Sequence, residues 1–160
     1  MKKIQLVEPE NIPKIVSVQV DPVELFKLAY SMEAICRQNK GIGLSAVQVG
    51  VPWNLFILDR NSKFEYYYNC SYEGNNDYID SIEGCLSLRN KDNSFKRFSL
   101  KRHSEVAIKG NILVESENGK IILEPFEKKE NGFYSIVFQH EIDHASGILI
   151  SQIGREIQVN

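Results

Sequence analysis

The sequence predicts an α+β fold, in which mostly antiparallel β-sheets surround a central helix that contains His140 and His144, with one further helix near the N-terminus. Apolar residues recur at helical spacing in residues 22–40 and again in residues 133–146. Between these segments, residues 51–127 contain short runs rich in β-branched and aromatic residues. A chain of 160 residues suits one core better than two domains and a linker. We therefore expect a single domain over residues 1–160.

The first helix has clear boundary signals. Asp21 is a suitable N-cap, Pro22 suits the first helical position, and Glu24 lies where a capping box places its acid. Gly41 follows Lys40 as a stop signal, so the predicted helix spans about residues 22–40. The apolar residues of this segment fall on one face, namely Leu25, Leu28, Met32 and Ile35.

The middle of the chain is predicted to be mostly antiparallel sheet. Four β-rich runs support this prediction: "NLFILD", "KFEYYYN", "EVAIKGNILVES" and "KIILEPFE". Asn118 and Gly119 form a hairpin-turn signal between the last two runs. Helical spacing then returns in "FYSIVFQHEIDHAS", between Asn131 as a cap and Gly147 as a stop.

The composition is that of a globular protein. Hydrophobic residues make up 42% of the chain and charged residues 25%, which argues against a disordered or fibrous protein. The formal charge of −2 gives no general reason to bind nucleic acid or an anionic membrane, and no apolar run approaches membrane-spanning length. We interpret the local basic cluster as a solvated loop or strand face; it consists of Lys96, Arg97, Lys101 and Arg102.

The cysteines indicate a reducing compartment. Cys36, Cys70 and Cys85 are odd in number and widely spaced, which argues against a disulfide framework. The N-terminus has basic residues but no apolar run behind them. We therefore expect the protein to stay in the compartment where it is made.

The second helix contains a pattern typical of metal sites. His140 and His144 are four residues apart, so both imidazoles lie on one helix face and can share one ion. Glu141 would then lie beside an ion-bound water, where it can accept a proton. The alternative is a polar helix face with a salt-bridging glutamate. The pattern arises by chance in roughly one such chain in 200, so it does not decide between them.

A catalytic site of this kind normally has three protein ligands. Downstream of the helix, Glu156 is a weak candidate for the third. Upstream, Cys85 offers a thiolate, a strong ligand for divalent transition metals, beside the flexible Gly84. Taken alone, Cys85 would more often be a small buried hydrophobe.

Two further groups of residues could complete a site. Phe133, Ile136 and Val137 share the helix face of His140 and form either a pocket wall or part of the core. In "GIGLSAVQVG", Gly41 and Gly43 permit unusual φ angles or close approach of the backbone, and the stretch lacks the lysine of a phosphate loop. Gln48 is an amide donor suited to an oxyanion, although taken alone it would more often be a surface residue.

In this order, "GIGLSAVQ", "EGCLS" and "QHEIDH" followed by Gly147 resemble the three signature motifs of the peptide deformylases, over about residues 41–150. The resemblance implies that Cys85, His140 and His144 hold one divalent ion, usually Fe²⁺ in the family, with Zn²⁺, Ni²⁺ or Co²⁺ as alternatives. It implies removal of the formyl group from N-formylmethionyl nascent peptides, with release of formate. Glu141 would shuttle the proton from water to the leaving amine.

The resemblance also implies roles around this centre. Gln48 and the backbone N–H of Leu86 would bind the oxyanion. Glu83, Arg102 and Asp143 would orient the ligands, with Arg102 at the head of the strand "RHSEVAI". The matching positions for a methionine pocket and its approach are Ile42, Gly43, Phe133, Ile136 and Val137.

The sequence departs from the usual family pattern at several positions. Ser45 stands where alanine is usual and Ala145 where leucine is usual, and we expect both to affect packing more than chemistry. The segment "LRNKDNSFKRFSLKR" lacks the usual proline after "EGCLS" and is longer. Only 16 residues follow His144 (160 − 144), so the C-terminal extension by which many bacterial members dock on the ribosome is short here.

The implied setting is the cytoplasm of a bacterium, or of its host if the gene belongs to a phage; an organelle also fits. Any contact with the ribosome would be transient. Two alternatives remain: a metal hydrolase acting on another N-acyl or amide substrate, and a metal-stabilised domain without catalysis.

Overall fold

A computed structural model describes residues 3–158 and confirms an α+β fold with antiparallel sheets and few helices. Two short 3₁₀ turns occur at Pro9–Asn11 and Ala46–Val49. The helices are α1 (Pro22–Gln38), α2 (Gly132–Ala145) and α3 (Ile150–Ile153). The strands are β1 (Gly43–Ser45), β2 (Leu55–Arg60), β3 (Lys63–Gly74), β4 (Tyr78–Glu83), β5 (Arg97–His103), β6 (Glu105–Glu115), β7 (Ile121–Asn131) and β8 (Arg155–Ile157).

The strands form two sheets, and all pairs are antiparallel. The larger sheet has the order β1-β2-β3-β6-β7, and the smaller sheet has the order β4-β5-β8. The predicted hairpin is present between β6 and β7, where Gly119 adopts a left-handed φ of 75° and donates its N–H to the Ser116 carbonyl. The four β-rich runs therefore account for β2, β3, β6 and β7.

Helix α1 begins as predicted but ends earlier. The Asp21 side chain accepts the Val23 N–H at 2.8 Å, whereas Glu24 pairs with Lys27 instead of completing a capping box. The helix ends at Gln38, and Lys40 rather than Gly41 has the left-handed φ, of 55°. A glycine is required at position 41 because the Leu86 side chain packs against it. A Cβ there would lie 3.0 Å from Leu86 Cδ1.

The core has one apolar layer on each face of the larger sheet. Leu55 and Ile57 of β2 pack with α1, whereas the alternating residues Phe56 and Leu58 pack with α2 around Phe138. Burial of a side chain such as Phe138, which is fully buried, contributes about 1.5–3 kcal/mol. Helix α2 also contacts β5 of the smaller sheet, so it lies against both sheets.

The smaller sheet corrects the prediction for the basic cluster. Side chains of β5 alternate between buried and exposed, and Arg102 falls on the buried side with Phe98 and Leu100. Arg102 is 4% exposed, so it belongs to no solvated face. It is also the penultimate residue of β5, not the head of the following strand.

Helix α2 ends as predicted. Ala145 is its last residue, and Gly147 adopts a left-handed φ of 74° and donates its N–H to the His144 carbonyl. In residues 3–158, no helix is both long enough and apolar enough to cross a membrane.

Candidate metal centre

A cysteine that follows β4 meets two histidines of α2 that are distant from it in the sequence. Cys85 lies two residues after β4 ends, while His140 and His144 occupy successive turns of α2. One ligand atom from each lies within 4.8 Å of the other two, and Cys85 Sγ is 3.9 Å from His144 Nε2. A tetrahedral ion with bonds of about 2.0–2.3 Å needs ligand atoms roughly 3.3–3.8 Å apart. The donor set therefore fits one divalent transition-metal ion after small adjustments.

A carboxylate fixes the orientation of His140. The Nδ1 atom of His140 lies 2.8 Å from Glu83 Oε1. With Nδ1 donating to this carboxylate, Nε2 is left as the metal-binding atom, which is the usual arrangement for a ligating histidine. In the part of the chain that the structure describes, His144 Nδ1 is buried and has no hydrogen-bond partner.

Arg102 holds Glu83 in place. Its Nε and Nη2 donate to the two oxygens of Glu83, each at 2.8 Å, and its Nη1 donates to Asp143 Oδ2 at 2.7 Å. The three side chains are buried, so they do not form a charge pair at the surface. Tyr72 of β3 also donates its hydroxyl to Asp143, at 2.7 Å. This network thus joins β4, β5, α2 and the larger sheet beneath His140.

The pKa values follow from burial and from these bonds. Burial by itself would raise the pKa of Glu83, but hydrogen bonds from Arg102 and His140 hold it at about 2. Burial also opposes the protonation of His140, yet hydrogen bonds with Cys85 and Glu83 raise its pKa to about 10. Burial and repulsion by His140 depress the pKa of His144 far below its usual value. An ion would have to displace the proton from His140.

Glu141 lies beside the ligand atoms. Its side chain is 5% exposed, and its Oε1 is 4.0 Å from His140 Nε2. Its Oε2 accepts a hydrogen bond from the Ser45 hydroxyl at 2.9 Å. Burial raises the pKa of Glu141, while His140 and the Ser45 bond act in the opposite direction. We expected the serine at position 45 to affect packing more than chemistry. In the structure it contacts Glu141, the residue expected to act as the base.

Gln48 is buried rather than on the surface. It is 1% exposed, and its Nε2 donates to Cys85 Sγ at 3.3 Å and to Ser87 Oγ at 3.0 Å. Its Oε1 accepts the backbone N–H of Ser45 at 2.9 Å. Leu86, directly after Cys85, is also buried. The amide of Gln48 is thus aimed at the ligand cluster, and Ser87 is a contact that the sequence did not predict.

A cavity of about 420 Å³ opens onto these groups. The five predicted pocket positions all line it, but they differ in burial. Val137 is buried, whereas Ile42 is 41% exposed and Phe133 is 57% exposed, which places the last two at the mouth. Gly43 lies close to the Glu141 carboxylate. Other residues that the sequence did not place in a pocket also line the cavity, among them Ile82, Phe95 and Arg97.

Comparison with known proteins gives one consistent result. The family model described as polypeptide deformylase matches residues 8–158. A peptide deformylase of Aquifex aeolicus is 31% identical over 151 residues, which cover 89% of this chain and 82% of that protein. A peptide deformylase of Karelsulcia muelleri is 38% identical over 129 residues, which cover 70% of this chain and 56% of that protein.

Solved structures show the same similarity. Peptide deformylase of Plasmodium falciparum in complex with an inhibitor is 27% identical, with a TM-score of 0.72 and coverage of 94% of this chain and 88% of that chain. A probable peptide deformylase from Synechococcus phage S-SSM7 has a TM-score of 0.77 at 23% identity, and the match covers 94% of this chain and 99% of that chain. At this level of identity the similarity shows the fold alone.

Proposed function

The chain belongs to the peptide deformylase family, and we propose that its cavity is the active site in which the formyl group of N-formylmethionyl peptides is hydrolysed to formate. The observation that carries this proposal is the convergence of Cys85, His140 and His144 within 4.8 Å, beside the buried carboxylate of Glu141.

These three side chains would hold one divalent ion, with Fe²⁺ as the native ion and Zn²⁺, Ni²⁺ or Co²⁺ as substitutes. Such an ion supplies an activated water and polarises the formyl oxygen. Glu83 receives the Nδ1–H of His140 and so presents Nε2 to the cavity. Arg102 and Asp143 keep Glu83 in that position.

Glu141 accepts a proton from the attacking water and later donates it to the departing amine. Its burial supports this role, because a raised pKa brings a carboxylate nearer to the pH at which it must both accept and donate a proton. The Gln48 amide and the backbone N–H of Leu86 stabilise negative charge on the formyl oxygen. Gln48 supports this role, because its Nε2 lies 3.3 Å from Cys85 Sγ, at the ligand cluster.

The methionine side chain enters between the apolar residues of the cavity. Ile136 and Val137 form its inner wall, and Ile42 and Phe133 flank the mouth. Gly43 of β1 also lines the cavity, where its lack of a side chain leaves space for the Glu141 carboxylate.

We assign the whole chain, residues 1–160, to one catalytic domain that acts on nascent peptides in the cytoplasm. We propose that any contact with the ribosome is transient and that it involves no direct binding of nucleic acid. The buried free thiols of Cys36, Cys70 and Cys85 are consistent with a reducing compartment.

The test is release of formate from a formyl-Met-Ala-Ser peptide by protein loaded with Fe²⁺ under anaerobic conditions. Glu141→Gln should lower kcat by about 10²–10⁴-fold at equal metal content, because it removes the proton shuttle. The matched control is Glu124→Gln, an exposed glutamate of β7 whose loss should leave kcat unchanged. A metal-loaded protein that releases no formate would contradict the proposal.

One observation favours a second candidate, a related hydrolase for another N-acyl group. Phe95 and Arg97 line the cavity, and both belong to the segment that we expect to be longer than is usual in the family. An acetyl-Met peptide should be a much poorer substrate than its formyl counterpart if the main proposal holds. Equal or faster turnover of the acetyl peptide would favour the second candidate.

The buried pair of Gln48 and Glu141 argues against a domain that only binds metal, because a purely structural metal site needs neither a base nor an oxyanion donor.

A further inference from the structure

Ser45 makes the only side-chain hydrogen bond to the Glu141 carboxylate among residues 3–158. Its Oγ lies 2.9 Å from Glu141 Oε2 and 3.3 Å from the Glu141 carbonyl oxygen. The serine is 4% exposed and the glutamate 5%, so water has little access to compete for this bond. A hydrogen bond from a hydroxyl to a buried carboxylate is stronger and more directional than one at the surface.

The geometry of β1 explains why the serine meets this carboxylate. Gly43 and Ser45 are two residues apart on the strand, so both face α2, while Leu44 between them packs with α1. A Cβ on Gly43 would lie 2.9 Å from Glu141 Oε1, so the carboxylate rests against the glycine backbone. The strand therefore offers a close surface for one oxygen and a hydroxyl donor for the other.

This contact leaves the two carboxylate oxygens with different surroundings. Oε2 is engaged by Ser45, whereas Oε1 lies 4.0 Å from His140 Nε2, on the side of the ligand cluster. A carboxylate without the serine bond could rotate about its last side-chain torsion, which is soft and nearly two-fold. The hydroxyl thus selects the orientation that keeps one oxygen free to exchange a proton at the centre.

The backbone of the same residue orients the oxyanion donor. The Ser45 N–H donates to Gln48 Oε1 at 2.9 Å, which fixes the amide so that Nε2 points toward Cys85. We propose that Ser45 is a positioning residue of the active site, in which the hydroxyl holds the Glu141 carboxylate while the peptide N–H sets the Gln48 amide. This inference rests on the proposed function.

Ser45→Ala isolates the hydroxyl, because it leaves the backbone bond to Gln48 in place and introduces the residue that is usual here in the motif it resembles. We expect kcat for the formyl peptide to fall about tenfold with KM unchanged, because the bond affects the proton transfer and not the peptide contacts. Ser45→Thr, which keeps a hydroxyl, should recover most of the loss.

Ser135→Ala is the matched control. Ser135 is a fully buried serine of α2, but its Oγ donates to the His103 carbonyl and accepts from Gln139 Nε2, away from Glu141. It should lower the melting temperature without changing kcat. If Ser135→Ala and Ser45→Ala lowered kcat equally, the loss would reflect packing and would overturn the proposal.

A spectroscopic measurement separates this inference from the proposed function. The Glu141 carboxyl band can be identified as the infrared difference between the metal-loaded parent protein and Glu141→Gln. In Ser45→Ala this band should shift, because its hydrogen-bond donor is gone, while metal content stays equal. An unshifted band, or a shifted band with unchanged kcat, would overturn the positioning role. If the parent releases no formate, the proposed function fails, and the band still decides whether Ser45 holds Glu141.

Discussion

Replacement of Arg102 by methionine should both destabilise the protein and weaken its metal binding. Methionine keeps much of the length of the side chain but removes the charge. Arg102 makes three charge-assisted bonds of 2.7–2.8 Å to Glu83 and Asp143, and its own side chain is only 3% exposed. The variant therefore leaves two buried carboxylates without their cation.

The structure sets the size of the effect. Loss of one partner of a buried ion pair costs about 3–5 kcal/mol in the free energy of unfolding. In a domain of this length each kcal/mol shifts the melting temperature by about 2–4 °C, so the expected fall is about 6–20 °C. Because Glu83 would no longer be held against His140, affinity for the metal should fall about 10–100-fold.

Calorimetry and a competitive metal-chelator titration measure the two effects. Lys101→Met is the matched control, because this neighbour pairs with Asp80 but is 67% exposed, so its loss should cost less than about 1 kcal/mol. Addition of Glu83→Gln to Arg102→Met should recover part of the stability, since one unpaired charge is removed. Equal effects of the Arg102 and Lys101 replacements, or unchanged metal affinity, would refute the reasoning.

Three further predictions concern the metal, the pocket and acid stability. Chelation should abolish formate release, and Fe²⁺ or Ni²⁺ should restore it; activity that persists without metal would contradict the ligand assignment. Phe133→Ala should raise KM for formyl-Met peptides several-fold with little loss of stability, because the ring is 57% exposed at the mouth, whereas Tyr30→Ala, 66% exposed on α1, should leave KM unchanged. In the metal-free protein, the stabilisation that comes from the lowered pKa of Glu83 should be complete above about pH 4.5 and lost as the pH falls toward 2, by about 3 kcal/mol in total. Denaturant unfolding from pH 2 to 6 should show this loss, and Glu83→Gln should reduce it.

Local patterns in the sequence predicted those parts of the fold that depend on local structure. Asp21 and Gly147 lie at helix ends and Gly119 lies in a turn. Capping and left-handed φ angles at such positions depend on a few adjacent residues. At the end of α1, Lys40 has the left-handed φ that was expected of Gly41, and the glycine is instead required by its contact with Leu86, which is distant in sequence. Such a contact leaves no local signal.

Strands β4 and β5 were not among the predicted runs, for a related reason. The buried positions of β5 include Arg102, so its alternation of apolar and polar residues is broken by a charge that belongs inside. The cation is stable there only because Glu83 and Asp143 reach it from β4 and α2. A basic side chain is predicted to be exposed to solvent as long as its buried acidic partners are unknown.

The site was predicted through its motifs more than through physical reasoning on single residues. Spacing on one helix placed His140, Glu141 and His144 together, but Cys85 and Gln48 each had a more ordinary interpretation when taken alone. Ser45 was expected to affect packing more than chemistry. Its contact with Glu141 could not be predicted from local patterns, because the two residues are 96 positions apart in the sequence. Tyr72 and Ser87 gave no signal, since a tyrosine in a strand and a serine in a turn are both common.

We propose that Cys85, His140 and His144 hold the ion with which Glu141 catalyses deformylation. Metal analysis of protein purified under anaerobic conditions, coupled to the formate assay on the same samples, tests the ligands and the reaction together. We predict one divalent ion per chain in the parent and in Glu141→Gln, with formate released only by the parent, and loss of both ion and activity in His144→Ala. Full metal content and activity in His144→Ala, or no formate from the metal-loaded parent, would contradict the claim.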